Sequence, residues 1–155
     1  MSDERASAIS RTKCRDIMTR NVRTVDPSAS LVQVAAMMRD SDVGAVPVVD
    51  GVKLVGILTD RDIVIRSVAE GSASAAAAGD IMTKELYTVA PDDFVFEAVR
   101  LMGDKQIRRI PVVGADGTLE GIIAMADVAL EMEDEREIAE TLEEISSGTA
   151  YWSKQ

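Results

Sequence analysis

The 155-residue chain has no histidine and one cysteine, and only 3% of it is aromatic. Each shortage removes a class of chemistry. Without histidine there is no imidazole general base, no Ser-His-Asp or Cys-His relay, and none of the usual histidine-bearing zinc sites. The single thiol, Cys14, cannot close an intrachain disulfide and reads first as a structural residue. A nucleophilic role would want a basic neighbourhood, which Lys13 and Arg15 supply only as sequence neighbours. With so few aromatics the core must be aliphatic. Positive charge is also short: 17 Lys and Arg against 27 Asp and Glu leave a net charge of −10. Such a field repels nucleic acid and anionic lipid, so any anion site must be a local basic cluster. No apolar run approaches the roughly 18 residues of a membrane span, and the acid-bearing start MSDERASAIS lacks the apolar stretch of a signal peptide. The expectation is a cytoplasmic protein that binds neither nucleic acid nor membrane. No metal-ligand cluster or activated nucleophile is visible, so no catalytic or metal-binding residue is expected and an enzyme is the least favoured class.

What is present is a repeat. Displaced by 64 residues, Asp16-Ile17-Met18-Thr19 falls on Asp80-Ile81-Met82-Thr83, Thr24-Val25 on Thr88-Val89, Pro27 on Pro91, Met38 on Met102, and Pro47-Val48-Val49 on Pro111-Val112-Val113. After one inserted residue the displacement becomes 65, and Gly56-Ile57 falls on Gly121-Ile122 and Asp62 on Asp127. The chain therefore divides into an N-terminal segment (1–13), a first repeat (14–70), a linker (71–79, GSASAAAAG), a second repeat (80–130) and an acidic C-terminal helix and tail (131–155).

Within the first repeat the patterns predict a strand at Val22–Val25 and a turn at Asp26-Pro27. A helix capped by Ser30 follows, with Leu31, Val34, Ala35 and Met38 on one face. A buried strand at Ala45–Val49, a hairpin turn at Asp50-Gly51, a returning strand at Lys53–Thr59 and a second helix from Asp60 complete the unit. The second repeat reads alike, with strands at Tyr87–Val89, Ile110–Val113 and Leu119–Ala124, a helix at Phe94–Gly103 and a long helix from about Ala126. Two β-α-β-β-α units give an α/β, α+β-like sandwich. Three short strands are too few to be stable alone, so the copies are expected to pack about a pseudo-two-fold with clefts between them.

The paired Asp-Ile-Met-Thr segments, Gly44-Ala45-Val46-Pro47-Val48-Val49 with its partner Arg108-Arg109-Ile110-Pro111-Val112-Val113, and Gly56-Ile57-Leu58-Thr59-Asp60-Arg61-Asp62 together resemble the cystathionine-β-synthase-type (CBS) domain family, as a stand-alone tandem pair. The resemblance covers roughly residues 14 to 130. It implies a regulatory ligand, AMP, ADP, ATP or S-adenosylmethionine, in place of any cofactor. The family's Gly-x-x-Thr/Ser-x-x-Asp motif falls on Thr59 and Asp62. A basic residue before the Ile-Pro-Val strand commonly reaches phosphate in this family, which points to Arg109 and Arg108.

The chemistry is sound on its own terms. A carboxylate at Asp62 can accept from both ribose hydroxyls, and the Thr59 hydroxyl and helix N-terminal amides can donate to phosphate. The same Thr-x-x-Asp spacing is also that of a capping box, and both readings stand at this point. In the second copy Ala124 replaces the threonine, so Asp127 would mark a degenerate site. Val22, Thr24, Ala45, Val46 and Pro47 are candidates to line an apolar slot for the base, with core packing as the alternative for Val22 and Val46.

Ile138, Leu142 and Ile145 form an apolar stripe in the acidic tail that could cover the core or a second subunit. Tyr151-Trp152 has no evident role. The resemblance favours a homodimer, and the absence of an effector sequence favours signalling to a separate, unknown protein. The competing expectation is a ligand-independent interaction or scaffold protein.

Overall fold

A computed structural model describes residues 11–72, 76–131 and 143–145. They fall into two compact units. One comprises the described residues of Met1–Asn21, Tyr87–Ala115 and Glu120–Gln155; the other those of Val22–Leu86 and Asp116–Leu119. The first holds Asp127 and the second Asp62.

In the Asp62 unit, Asp26 Oδ1 accepts from the Ser28 amide at 2.8 Å and from its hydroxyl at 2.6 Å, which closes the turn at Pro27. Ser30 then caps helix α2 (Leu31–Ser41): its hydroxyl accepts from the Gln33 amide at 3.2 Å, and Gln33 Oε1 accepts from the Ser30 amide at 3.1 Å. Leu31, Val34 and Met38 are buried, whereas Ala35, at the edge of that stripe, is exposed. The helix stops at Asp42, whose φ of 52° is left-handed, a conformation aspartate tolerates. Strands β1 (Ala45–Asp50) and β2 (Lys53–Thr59) form an antiparallel hairpin with a bulge at Val48/Val49. Gly51, at φ +67°, supplies the turn that a side chain would strain. The strand expected at Val22–Val25 is reduced to one parallel bridge, Val25 to Val48. The Asp26-Pro27 turn begins at the next residue, and proline has no amide with which to extend the ladder. From β2 the chain enters α3 (Asp60–Ile63), which continues as a π-helical stretch, Val64–Val68.

The Asp127 unit repeats the plan. Helix α5 (Val95–Lys105) buries Val95, Ala98, Val99 and Met102, and Phe94 lies just before it as the cap residue. Strands β3 (Arg109–Val113) and β4 (Leu119–Ala124) pair, Val89 bridges Val112 in place of the strand expected at Tyr87–Val89, and α6 (Met125–Glu131) follows. Each unit has its own aliphatic core. Val34, Val46, Val48 and Leu58 centre one; Met102, Ile110, Val112 and Ile123 centre the other, together with Cys14 and Ile145. Each such fully buried side chain contributes about 1.5–3 kcal/mol. Ile138, Leu142 and Tyr151-Trp152 lie outside the described residues.

The units are discontinuous because the entry segment of each repeat docks on the sheet of the other. Helix α1 (Cys14–Ile17) belongs to the Asp127 unit: the Cys14 amide donates to Asp93 O at 2.8 Å, Arg15 to Pro91 O at 2.9 Å, and Thr19 exchanges two backbone bonds with Ile122. Helix α4 (Ala78–Ile81), which starts inside the expected linker, belongs to the Asp62 unit by the equivalent bonds: Ala78 to Ala29 O at 2.8 Å, Gly79 to Pro27 O at 2.8 Å, and Thr83 with Ile57. This accounts for the repeated Asp-Ile-Met-Thr. Each aspartate closes its own turn (Lys13 N to Asp16 Oδ2 at 3.1 Å, Ala77 N to Asp80 Oδ2 at 2.9 Å). Each methionine lies over a glycine of the facing strand, Met18 over Gly121 and Met82 over Gly56. Among the described residues no helix is long and apolar enough to cross a membrane.

Candidate functional site

Thr59 is the last residue of β2 and the cap of α3. Its hydroxyl accepts from the Asp62 amide at 3.0 Å, and Asp62 Oδ2 accepts from the Thr59 amide at 3.0 Å. The capping box is therefore formed in full. It does not exhaust the carboxylate. Asp62 is the one charged side chain among the described residues that is buried, 9% exposed. The Thr83 hydroxyl approaches Asp62 Oδ2 at 3.3 Å and Oδ1 at 3.5 Å, and Arg66 Nε lies 3.8 Å from Oδ1. A carboxylate offers about four acceptor positions. Two donors converge on Oδ2, while Oδ1 has only these long contacts.

Arg66, half-exposed one turn beyond Asp62, is held in turn by α4: its Nη1 donates to Ile81 O at 3.1 Å and reaches Met82 O and Thr83 Oγ1 at 3.4 Å. Neither Thr83 nor Arg66 was legible as part of the site. For Arg66 the signal was its place four residues after Asp62, the helical spacing of an ion pair; for Thr83 it was only that it repeats Thr19, and a repeated residue does not reveal that its segment docks on the other repeat's motif.

Ala45 pairs with Thr59 across the hairpin, and Gly44 O accepts the Asp60 amide at 2.9 Å, so the small residues that begin β1 lie beside the start of α3. A Cβ on Gly44 would come within 3.2 Å of Asp60 Oδ2. Val46 is packed into the core at 1% exposure, and Pro47 is buried with its carbonyl bonded to the Val25 amide. Val22 and Thr24 are half-buried on the extended segment whose bridge to β1 is at Val25.

In the Asp127 unit the matching positions are chemically poorer. Asp127 Oδ2 accepts from the Ala124 amide at 3.1 Å, but Ala124 has no hydroxyl to return the bond. Glu131 stands where Arg66 stands in the first copy, four residues after the aspartate. Arg108 O accepts the Met125 amide at 2.8 Å, as Gly44 O does for Asp60. The Arg108 and Arg109 side chains are exposed.

Cys14 is buried in this unit, with its pKa pushed up to about 12 by burial first and then by the Asp93 and Glu97 carboxylates. That keeps it a neutral thiol and removes it from nucleophilic chemistry.

A CBS domain family model matches residues 14–68 and again 78–134. The chain belongs to the CBS domain family. This CBS pair is 36% identical to the CBS domain-containing protein YhcV of Bacillus subtilis, over 85% of this chain and 94% of that protein. Among solved structures it is similar to Hypoxic Response Protein I with two coordinated zinc ions (TM-score 0.71, 38% identity, 77% of this chain and 98% of that one). It is also similar to CBSX2 in complex with AMP (TM-score 0.69, 29% identity, 77% and 94%). Among the described residues of the present chain, no group of three or more Cys, Asp or Glu side chains is placed to hold a metal ion.

Proposed function

We propose that this CBS pair is a non-catalytic sensor that binds an adenine nucleotide of the AMP, ADP or ATP type, or a related adenosyl ligand, and signals to a separate protein. Asp62 would take the ribose hydroxyls, Thr59 a phosphate oxygen, and Val22, Thr24 and the Ala45–Pro47 backbone the base. The observation that carries the reading is Asp62 itself: a buried carboxylate at the family's motif position, with Oδ2 tied down and Oδ1 short of donors. The AMP complex of CBSX2 supports the ligand class. Asp127, without a threonine or an arginine partner, would be the weaker or empty counterpart. As further parts of the proposal, the module works in the cytoplasm as a homodimer. Exposed Val64, Ile65 and Val68 beyond α3 support a self-association surface.

A second reading has its own observation in favour. The Thr59–Asp62 pair is complete as a capping box, so the motif could serve only to start α3 in a ligand-independent scaffold. A thermal-shift series with AMP, ADP, ATP, GMP and S-adenosylmethionine separates the two. A ligand at 100 times its Kd adds about 2.7 kcal/mol and raises Tm by several degrees. No shift with any of the five supports the scaffold.

A further inference from the structure

We propose that Thr83 is a positioning residue for the ligand carboxylate, turning Asp62 Oδ1 toward the ribose, with Arg66 setting the direction of the Thr83 hydroxyl. The inference rests on the ligand reading above. Three facts carry it. Arg66 can only donate, and its Nη1 lies 3.4 Å from Thr83 Oγ1. An ionised Asp62 can only accept, and its Oδ2 lies 3.3 Å from the same hydroxyl. The hydroxyl proton is therefore directed away from Arg66 and at Asp62.

With the Thr59 amide at 3.0 Å and the Thr83 hydroxyl at 3.3 Å on Oδ2, the carboxylate plane is fixed from two sides, and Oδ1, which has only the longer contacts to the Thr83 hydroxyl at 3.5 Å and Arg66 Nε at 3.8 Å, is the oxygen left for a vicinal diol. A carboxylate held in its binding orientation loses less freedom when the ligand arrives. The hydroxyl comes from the entry segment of the second repeat, Arg66 and Asp62 from the first. In the second copy Glu131 replaces Arg66, so the same chain of donors cannot form there.

The test is isothermal titration of AMP and 2′-deoxy-AMP into the full chain and its Thr83→Val and Thr83→Ser variants, with Tm recorded for each. Wild type is expected to bind 2′-deoxy-AMP at least about tenfold more weakly than AMP, the loss of a hydrogen bond to a charged group. Thr83→Val keeps the side-chain shape. It is expected to weaken AMP about fivefold and to shrink the deoxy penalty to about twofold, while Thr83→Ser restores both.

If Thr83→Val binds AMP as wild type does, or loses affinity with the deoxy penalty unchanged, Thr83 does not orient the carboxylate. Failure of Thr83→Ser to restore binding overturns it equally. If wild type binds none of AMP, ADP, ATP and S-adenosylmethionine, the ligand reading falls and takes this inference with it; the other outcomes leave that reading standing.

Discussion

The docking of each entry segment against a glycine of the other repeat's strand predicts an unequal response to two matched substitutions, Gly56→Ala and Gly121→Ala. Replacing glycine by alanine where both fit adds about 0.4–1 kcal/mol of stability through the unfolded chain, whereas overfilling a packed site costs about 1–3 kcal/mol. A Cβ on Gly121 would lie 2.7 Å from the Thr19 carbonyl oxygen and 2.8 Å from Met18 Sδ. The first is backbone: it accepts from the Ile122 amide while the Thr19 amide donates to Ile122 O, and it cannot retreat alone. A Cβ on Gly56 would collide with Met82 Sδ and come within 2.7 Å of its Cγ, atoms of a flexible side chain, while the Thr83 carbonyl is farther off at 3.1 Å. Gly121→Ala should therefore cost about 2–3 kcal/mol and Gly56→Ala about 1 kcal/mol. Truncating Met82 to alanine should relieve most of the Gly56→Ala cost, whereas truncating Met18 should relieve little of the Gly121→Ala cost. Urea unfolding followed by circular dichroism reads these as shifts in midpoint at constant slope. Equal costs at the two glycines, or no coupling between positions 56 and 82, would refute the docking argument.

Two further outcomes follow from the asymmetry of the units and from the buried thiol. Ala124→Thr supplies the hydroxyl missing opposite the Asp127 amide and should stabilise the protein by about 0.5–1 kcal/mol in the same urea assay; no gain would mean that α6 does not use its first turn as α3 does. Cys14 should resist an aromatic disulfide reagent at pH 8 until the protein is unfolded. Its pKa is raised in the folded state, so the stability it contributes is complete below about pH 9 and is lost as pH rises toward about 12. A wild-type protein and a Cys14→Ala variant with parallel stability curves from pH 8 to 11 would contradict this.

Much of this architecture was legible because the chain states it twice. Ser30, Asp50-Gly51 and the Leu31, Val34, Met38 spacing each act through neighbours within a few residues, and they predict α2 and the β1–β2 hairpin closely. The segments before Pro27 and Pro91 pattern as strands but each makes only one bridge, since β-branched residues satisfy the pattern even where only one residue finds a partner. Self-similarity could show that Asp-Ile-Met-Thr and Gly56 matter in both copies. It could not show that Met82 meets Gly56, because that contact joins the second copy of one motif to the first copy of another. The same limit hid Thr83 from the candidate site, whereas Thr59 and Asp62, three residues apart, were readable both as a cap and as a ligand pair.

Because Asp62 closes the cap as well as offering Oδ1, an alanine there would confuse lost folding with lost binding. Asparagine keeps an acceptor for the Thr59 amide and removes the charge. Titration of AMP into wild type and Asp62→Asn, with Tm measured on both, is the most direct test of the sensor reading. Wild type should bind, and Asp62→Asn should remain folded while losing about 2 kcal/mol of affinity, roughly thirtyfold. Identical AMP affinity in a folded Asp62→Asn protein would contradict it.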